Sequence, residues 1–285
     1  MPRPPSSDHC AAPAGDRQQP AAPAPEVLAR RERFPRGLVQ PEGGFRFGAD
    51  TLLLASFAAS AIPGAAERGA KPLSGLDLGT GCGAASIALL LLRPDLELRL
   101  TGIDIGPEMV AAASANAHDL GLAERFQAEL ADVREYPRPG LAATFELALA
   151  NPPFRKPGTG RACPDEARNR ARFEGPGGLA AFAACASKAL RPRGRLFVVH
   201  LAERLPELLR TFADAGLAPR RALPVQGRPG QAPRLVLLEF LRGGKSPGGF
   251  ALLPPLTLYT QAGSLSPEAA EFCPALATNP LRAGV

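Results

Sequence analysis

LSGLDLGTGCGAASIALLLLRPD, residues 73 to 95, contains the change of pattern that decides the fold. The first six residues are mostly apolar. Glycines then follow at every second position (Gly79, Gly81, Gly83), and ASIALLLL is an apolar run of helical length. The stretch therefore predicts strand, tight turn and helix. Glycines let the backbone take positive φ and approach a ligand closely, and the helix start adds free N–H donors. The spacing is D-x-G-x-G-x-G from Asp77, whereas a dinucleotide fingerprint is G-x-G-x-x-G, so a nicotinamide oxidoreductase fits poorly.

The pattern repeats outward from this stretch. ELRLTGIDIGPEMVAAASANAHDLGL (97–122) reads as strand, short turn, helix opening at Pro107 and glycine stop. RFQAELADV (125–133) and FELALA (145–150) are further strands, and LAAFAACASKAL predicts a helix over 178–190 ending in the turn RPRG. RLFVVHL (195–201) is a strand, followed by a helix around 203–215. APRRALPV and PRLVLLEFL, joined by QGRPGQA, resemble a β-hairpin. Upstream, GADTLLLASFAASA is helical in spacing, with Asp50-Thr51 as the expected N-cap. Alternating strands and helices predict an α/β chain with a doubly wound, seven-stranded, mostly parallel, Rossmann-like sheet whose last strand is antiparallel. The expected organisation is a disordered Pro/Ala-rich tail over 1–33, one domain over 34–243, and a partly ordered extension over 244–285.

Composition narrows the class of protein. The tail has no apolar run of the secretory kind, and ASIALLLL is far short of the roughly 18 residues of a membrane span. Five scattered cysteines (Cys10, Cys82, Cys163, Cys185, Cys273) form no CxxC pair, so neither a disulfide framework nor a metal site is expected, and the cytoplasm is the expected compartment. A net charge of +6 admits a nucleic-acid partner without requiring one.

Ligands of open α/β sheets bind at the carboxyl ends of the strands, and acids recur there. Asp77 precedes the glycines. Asp104 ends LTGID, about 20 residues farther on, where a carboxylate can accept the hydroxyls of a ribose. Asp132 ends ELAD. This arrangement resembles the first motifs of S-adenosylmethionine-dependent methyltransferases. The resemblance implies that Asp77, Gly79, Gly81 and Gly83 support the methionine part of the donor, and that Asp132 meets its adenine amino group. The bland alternatives are a packing turn for the glycines and helix capping for the acids.

The fourth strand ends in Asn151-Pro152-Pro153-Phe154, which resembles the (D/N/S)-P-P-(Y/F/W) motif of amino methyltransferases. An amide or exocyclic nitrogen delocalises its lone pair and is a poor nucleophile. The Asn151 side-chain oxygen and the Pro152 carbonyl can accept its two hydrogens and favour pyramidalisation, with proline pre-setting the backbone. Phe154 offers a ring for a planar group to stack on. Displacement from a sulfonium needs positioning and no metal. Over residues 43–272 the chain is also similar to the bacterial family that methylates N6 of an adenine beside the anticodon of a valine-accepting tRNA. The shared stretches are GGFRFGADTLLLASF, NPPFRKPGTGR, HLAERLPELL, RPG and LLPPLTLY, and Phe154 stands where tyrosine is commoner. That resemblance implies that Asp50 and Asn151 flank the donor pocket. Arg155, Lys156, Arg161, Arg168, Arg170 and Arg172 follow the motif and suit contact with tRNA phosphates around an extruded base; a solvated loop is the alternative. Two other functions stay open: methylation of a release-factor glutamine, and a catalytically silent donor- or RNA-binding module. His118 and His200 read as ordinary core or surface residues.

Overall fold

The structure is a computed structural model that describes residues 22–42, 46–68, 71–154, 177–244 and 249–278. Seven strands form the main sheet: β1 (Leu73–Leu78), β2 (Leu98–Asp104), β3 (Phe126–Leu130), β4 (Phe145–Ala150), β5 (Leu190–Leu201), β6 (Leu217–Gln226) and β7 (Leu235–Arg242). They lie in the order β3-β2-β1-β4-β5-β7-β6. The pairs β1–β2, β1–β4, β2–β3 and β4–β5 are parallel, while β7 runs antiparallel between β5 and β6. Two short strands, β8 (Ala251–Leu252) and β9 (Leu256–Thr257), add to the outer side of β6. The sheet thus has nine strands rather than the seven expected, because the C-terminal segment finds unpaired backbone on β6 and hydrogen-bonds to it.

Strand alternation feeds two cores, one on each face. Phe197 and Val199 of β5 join one cluster, Leu196 and Val198 the other. The first is covered by α2 (Ala49–Ala61), α4 (Ala84–Leu92) and α5 (Pro107–Asp119), with α3 (Ala65–Arg68) at its edge. Seven of the nine residues of α4 are buried, as its continuous apolar sequence requires. The second is covered by α6 (Gly178–Ala189) and α7 (Leu205–Asp214), with Leu208 and Phe212 on the buried stripe of α7. Two C-terminal helices, α8 (Pro267–Phe272) and α9 (Ala275–Thr278), and the turn between them add Ala269, Leu276 and Cys273 to the first core. Among the described residues, no helix is long and apolar enough to cross a membrane.

Three local expectations are revised. Helix α1 (Pro25–Glu32) lies inside the segment expected to be disordered. Helix-forming residues behind Pro25 start it, and Arg31 ties it to the end of α5 through the carbonyls of Leu120 (2.8 Å) and Gly121 (3.1 Å). The stretch RPRG is a bulge inside β5 rather than a turn before it. Leu190 pairs with Phe145 and Arg195 with Leu147, so the chain rejoins the same neighbour, and Arg193 takes φ 65° to do so. Asp50 and Thr51 do not cap α2. Its N-cap is Gly48, and their side chains are turned to another partner.

Candidate active site

Pairing register puts the candidate residues on one rim. Leu78 pairs with Ile103 on one side and Ala150 on the other, so Gly79, Asp104 and Asn151 leave adjacent strands side by side. Neighbouring strands are about 4.8 Å apart. The strand order reverses between β2-β1 and β4-β5, the place where open sheets of this kind form a crevice.

The glycine turn is held from beneath. Asp77 is buried, and a single carboxylate oxygen, Oδ2, accepts the hydroxyls of Thr80 (2.8 Å) and Ser86 (2.7 Å). Burial pushes its pKa up to about 6, against the pull of those two bonds and with a small contribution from the charge of Asp104. Gly81 has φ 57° and open space where a Cβ would stand, so a ligand can approach the backbone there. Gly83 is also left-handed, but a Cβ on it would come within 2.7 Å of the Phe126 ring; that glycine packs helix against sheet.

Asp104 links the turn to the second strand. Oδ2 accepts the Gly81 N–H and Oδ1 the Gly106 N–H, both at 2.9 Å. Burial raises its pKa, and these two N–H donors oppose the rise. An ionised carboxylate has about four lone-pair directions, so capacity for a ligand remains. Asp132 lies two residues beyond the end of β3. Arg134 grips it through Nε (3.0 and 2.9 Å) and its main-chain N–H (2.8 Å), and hydrogen bonding from that guanidinium lowers its pKa. Ile105 and Leu130, beside these acids, leave large apolar side chains exposed on the rim.

Across the crevice, the Asn151 amide nitrogen donates to Thr51 Oγ1 (3.0 Å) and Asp50 Oδ2 (3.3 Å), both in the first turn of α2. Asp50 is buried, which raises its pKa against the hydrogen bonds it receives from Thr51 and Asn151. With the amide N–H groups committed to these two acceptors, Asn151 Oδ1 is the atom available to receive a donor. Pro152 is buried, and Phe154 is half-buried with its ring centroid 4.9 Å from that of His200. Arg155, Lys156, Arg161, Arg168, Arg170 and Arg172 lie outside the described residues. Among the described residues, no group of three His, Cys, Asp or Glu side chains could hold a metal ion.

Sequence reasoning gave Thr51 and His200 other roles and assigned none to Thr80, Ser86, Arg134 and Arg204, whose Nη1 donates to the Phe154 carbonyl at 3.3 Å. Thr80 and Ser86 carried a signal, being hydroxyls three and nine residues after the acid that opens the glycine turn. Thr51, His200 and Arg204 meet the corner only through the tertiary fold.

Residues 71–215 match the model of a family described as a methyltransferase domain. The chain is 30% identical over 225 residues to the tRNA1(Val) (adenine(37)-N6)-methyltransferase of Porphyromonas gingivalis, covering 78% of this chain and 85% of that protein. It is 32% identical over 197 residues to the protein of the same description from Yersinia enterocolitica, with 69% and 74% covered. Among solved structures, it resembles one described as a predicted O-methyltransferase from Agrobacterium tumefaciens. That likeness has a TM-score of 0.61 at 18% identity, covers 79% of this chain and 96% of that one, and speaks for the fold alone.

Proposed function

The chain belongs to the S-adenosylmethionine-dependent methyltransferases, and on that premise we propose that it methylates an amino nitrogen, N6 of an adenine in tRNA. The observation that carries the reading is the fixed amide of Asn151. Its N–H groups are committed to Thr51 and Asp50, which assigns Oδ1 as an acceptor beside the main chain of Pro152. The names of the relatives from P. gingivalis and Y. enterocolitica support the choice of adenine in tRNA.

The residues present suit the donor. Open space over Gly81, spare acceptor capacity on Asp104, and the exposed apolar side chains of Ile105 and Leu130 fit a nucleoside with a charged sulfur arm. When bound, S-adenosylmethionine supplies a methyl group on a sulfonium, which leaves without prior activation. The protein's task is therefore the nucleophile. Asn151 Oδ1 and the Pro152 carbonyl accept the two hydrogens of the target NH₂ and draw its lone pair out of the ring. Phe154 covers one face of the base. After transfer the nitrogen carries one proton too many. Neither acceptor is basic enough to keep it, so it passes to water. The basic residues from Arg155 to Arg172 are proposed to hold the surrounding phosphates.

The test is incubation of purified protein with labelled donor and unmodified tRNA, followed by mass spectrometry of the nucleosides. N6-methyladenosine is expected; label recovered in protein glutamine instead would replace the substrate reading.

A further inference from the structure

His200 lies two residues beyond Val198, which pairs with Ala150 of β4. That register places it against the prolines following Asn151. Its side chain is fully buried, and Nδ1 accepts the Leu201 main-chain N–H at 2.8 Å. A neutral imidazole that accepts at Nδ1 carries its proton on Nε2. That nitrogen is buried with no hydrogen-bond partner of ordinary geometry. The Pro153 main chain nevertheless interacts with the ring in the sense that favours a proton on it. Burial and the Arg204 guanidinium outweigh that pull, together with those of Glu207 and the Leu201 main chain, and lower the His200 pKa to about 4. The ring is therefore neutral at ordinary pH.

The same short segment touches the corner a second time. The buried Arg204 donates from Nη1 to the Phe154 carbonyl at 3.3 Å, while Nε and Nη2 hold Glu207 at 3.0 and 2.8 Å. The imidazole meets the Phe154 ring at 4.9 Å between centroids, tilted by 56°. HLAER (200–204) thus supports both the aromatic face and the main chain of the motif.

We infer that His200 is a positioning residue for methyl transfer: its Nε2–H closes on the Pro153 carbonyl when a target enters the corner, and its ring backs Phe154. The inference rests on the amino-transfer reading above. An apolar side chain could fill this place without burying an unpaired donor, so a polar group here calls for a reason beyond packing. Hydrogen bonds at such sites are commonly long in the free enzyme and tighten only in the reacting complex. Arg204 acts as the second brace, through the Phe154 carbonyl of the same corner.

Two variants separate the N–H from the ring. His200→Phe keeps an aromatic surface and removes the Nε2 donor together with the Nδ1 acceptor of the Leu201 N–H; His200→Gln keeps a donor of similar reach and removes the ring. His200→Phe is expected to lower the single-turnover rate about tenfold, the scale of one hydrogen bond. Acceptor KM and donor Kd should stay near wild type, the melting temperature should fall only by the few degrees that the lost Leu201 bond accounts for, and His200→Gln should recover most of the lost rate. A wild-type rate per folded molecule in His200→Phe, or a donor Kd that rises in step with the lost rate, overturns the inference. If methyl goes to a protein glutamine, the substrate reading falls, and the same rates are compared on that acceptor. A further readout needs no acceptor. With three histidines in the chain, ¹⁵N-histidine labelling should show one imidazole protonated on Nε2 and slow to exchange with water, absent from His200→Phe. A proton on Nδ1 at that residue overturns the inference.

Discussion

The two sides of the crevice are built on different scales of sequence. On the side proposed to hold the donor, Asp77 is held by Thr80 and Ser86, three and nine residues away. On the side proposed to receive the acceptor, Asn151 is held by Asp50 and Thr51, which lie 101 and 100 residues earlier, and Phe154 by Arg204, fifty residues later. The glycine turn therefore carries its own support wherever a strand and helix place it. The NPPF corner depends on three elements, β4, α2 and the end of β5, meeting correctly. Damage to the donor side should appear first as lost stability and donor affinity, and damage to the acceptor side as lost rate.

The largest effect that tests this contrast is Asn151→Ala. It removes the side-chain acceptor and should lower the single-turnover rate by about 10²–10³, as loss of one preorganised stabilising group does elsewhere. Donor Kd, measured by calorimetry, should stay within about twofold. Equal losses in rate and donor binding would mean that the two sides of the crevice are not separate.

A smaller effect concerns Asp77 and pH. Its pKa is raised from 3.8 to about 6, so the folded state holds the proton more tightly than the unfolded chain. Stability from this group is present at low pH and is lost as pH rises from about 4 to about 6, on the order of 3 kcal/mol. Because one oxygen accepts both hydroxyls, Asp77→Asn can keep both bonds without the charge. Urea unfolding across pH 4–7 should show that slope in the wild type and a shallower one in Asp77→Asn. Parallel curves would remove the charge of Asp77 from the account.

The smallest effect sharpens the acceptor side. Thr51→Val removes one of the two groups that orient the Asn151 amide, leaving Asp50. The rate should fall about fivefold, worth roughly 1 kcal/mol, and Thr51→Ser should restore it. An unchanged rate would leave Asp50 alone as the orienting group.

Much of the architecture was legible because the relevant signals are local. Strand, glycine turn and helix at 73–95 follow from hydrophobic period and glycine spacing, and the antiparallel pair at 217–242 from two apolar runs around a turn. Features that require a distant partner were not legible. RPRG looked like a turn because its pairing with β4 on both sides of the bulge is a tertiary fact. Asp50-Thr51 looked like a cap because an acid and a hydroxyl before a helix commonly are one. The amide that claims them is a hundred residues away. His200 looked like an ordinary core residue because nothing in RLFVVHL shows that Phe154 comes to lie against it.

By itself, then, the sequence determined the succession of strands and helices and the rim on which the acids and NPPF emerge. Period and turn chemistry act over a few residues and need no partner. The tertiary structure alone decided which atom of Asn151 is left to accept, and that His200 and Arg204 stand behind Phe154. Those outcomes depend on partners far apart in the chain, and only the packing of β4, α2 and the end of β5 brings them into contact.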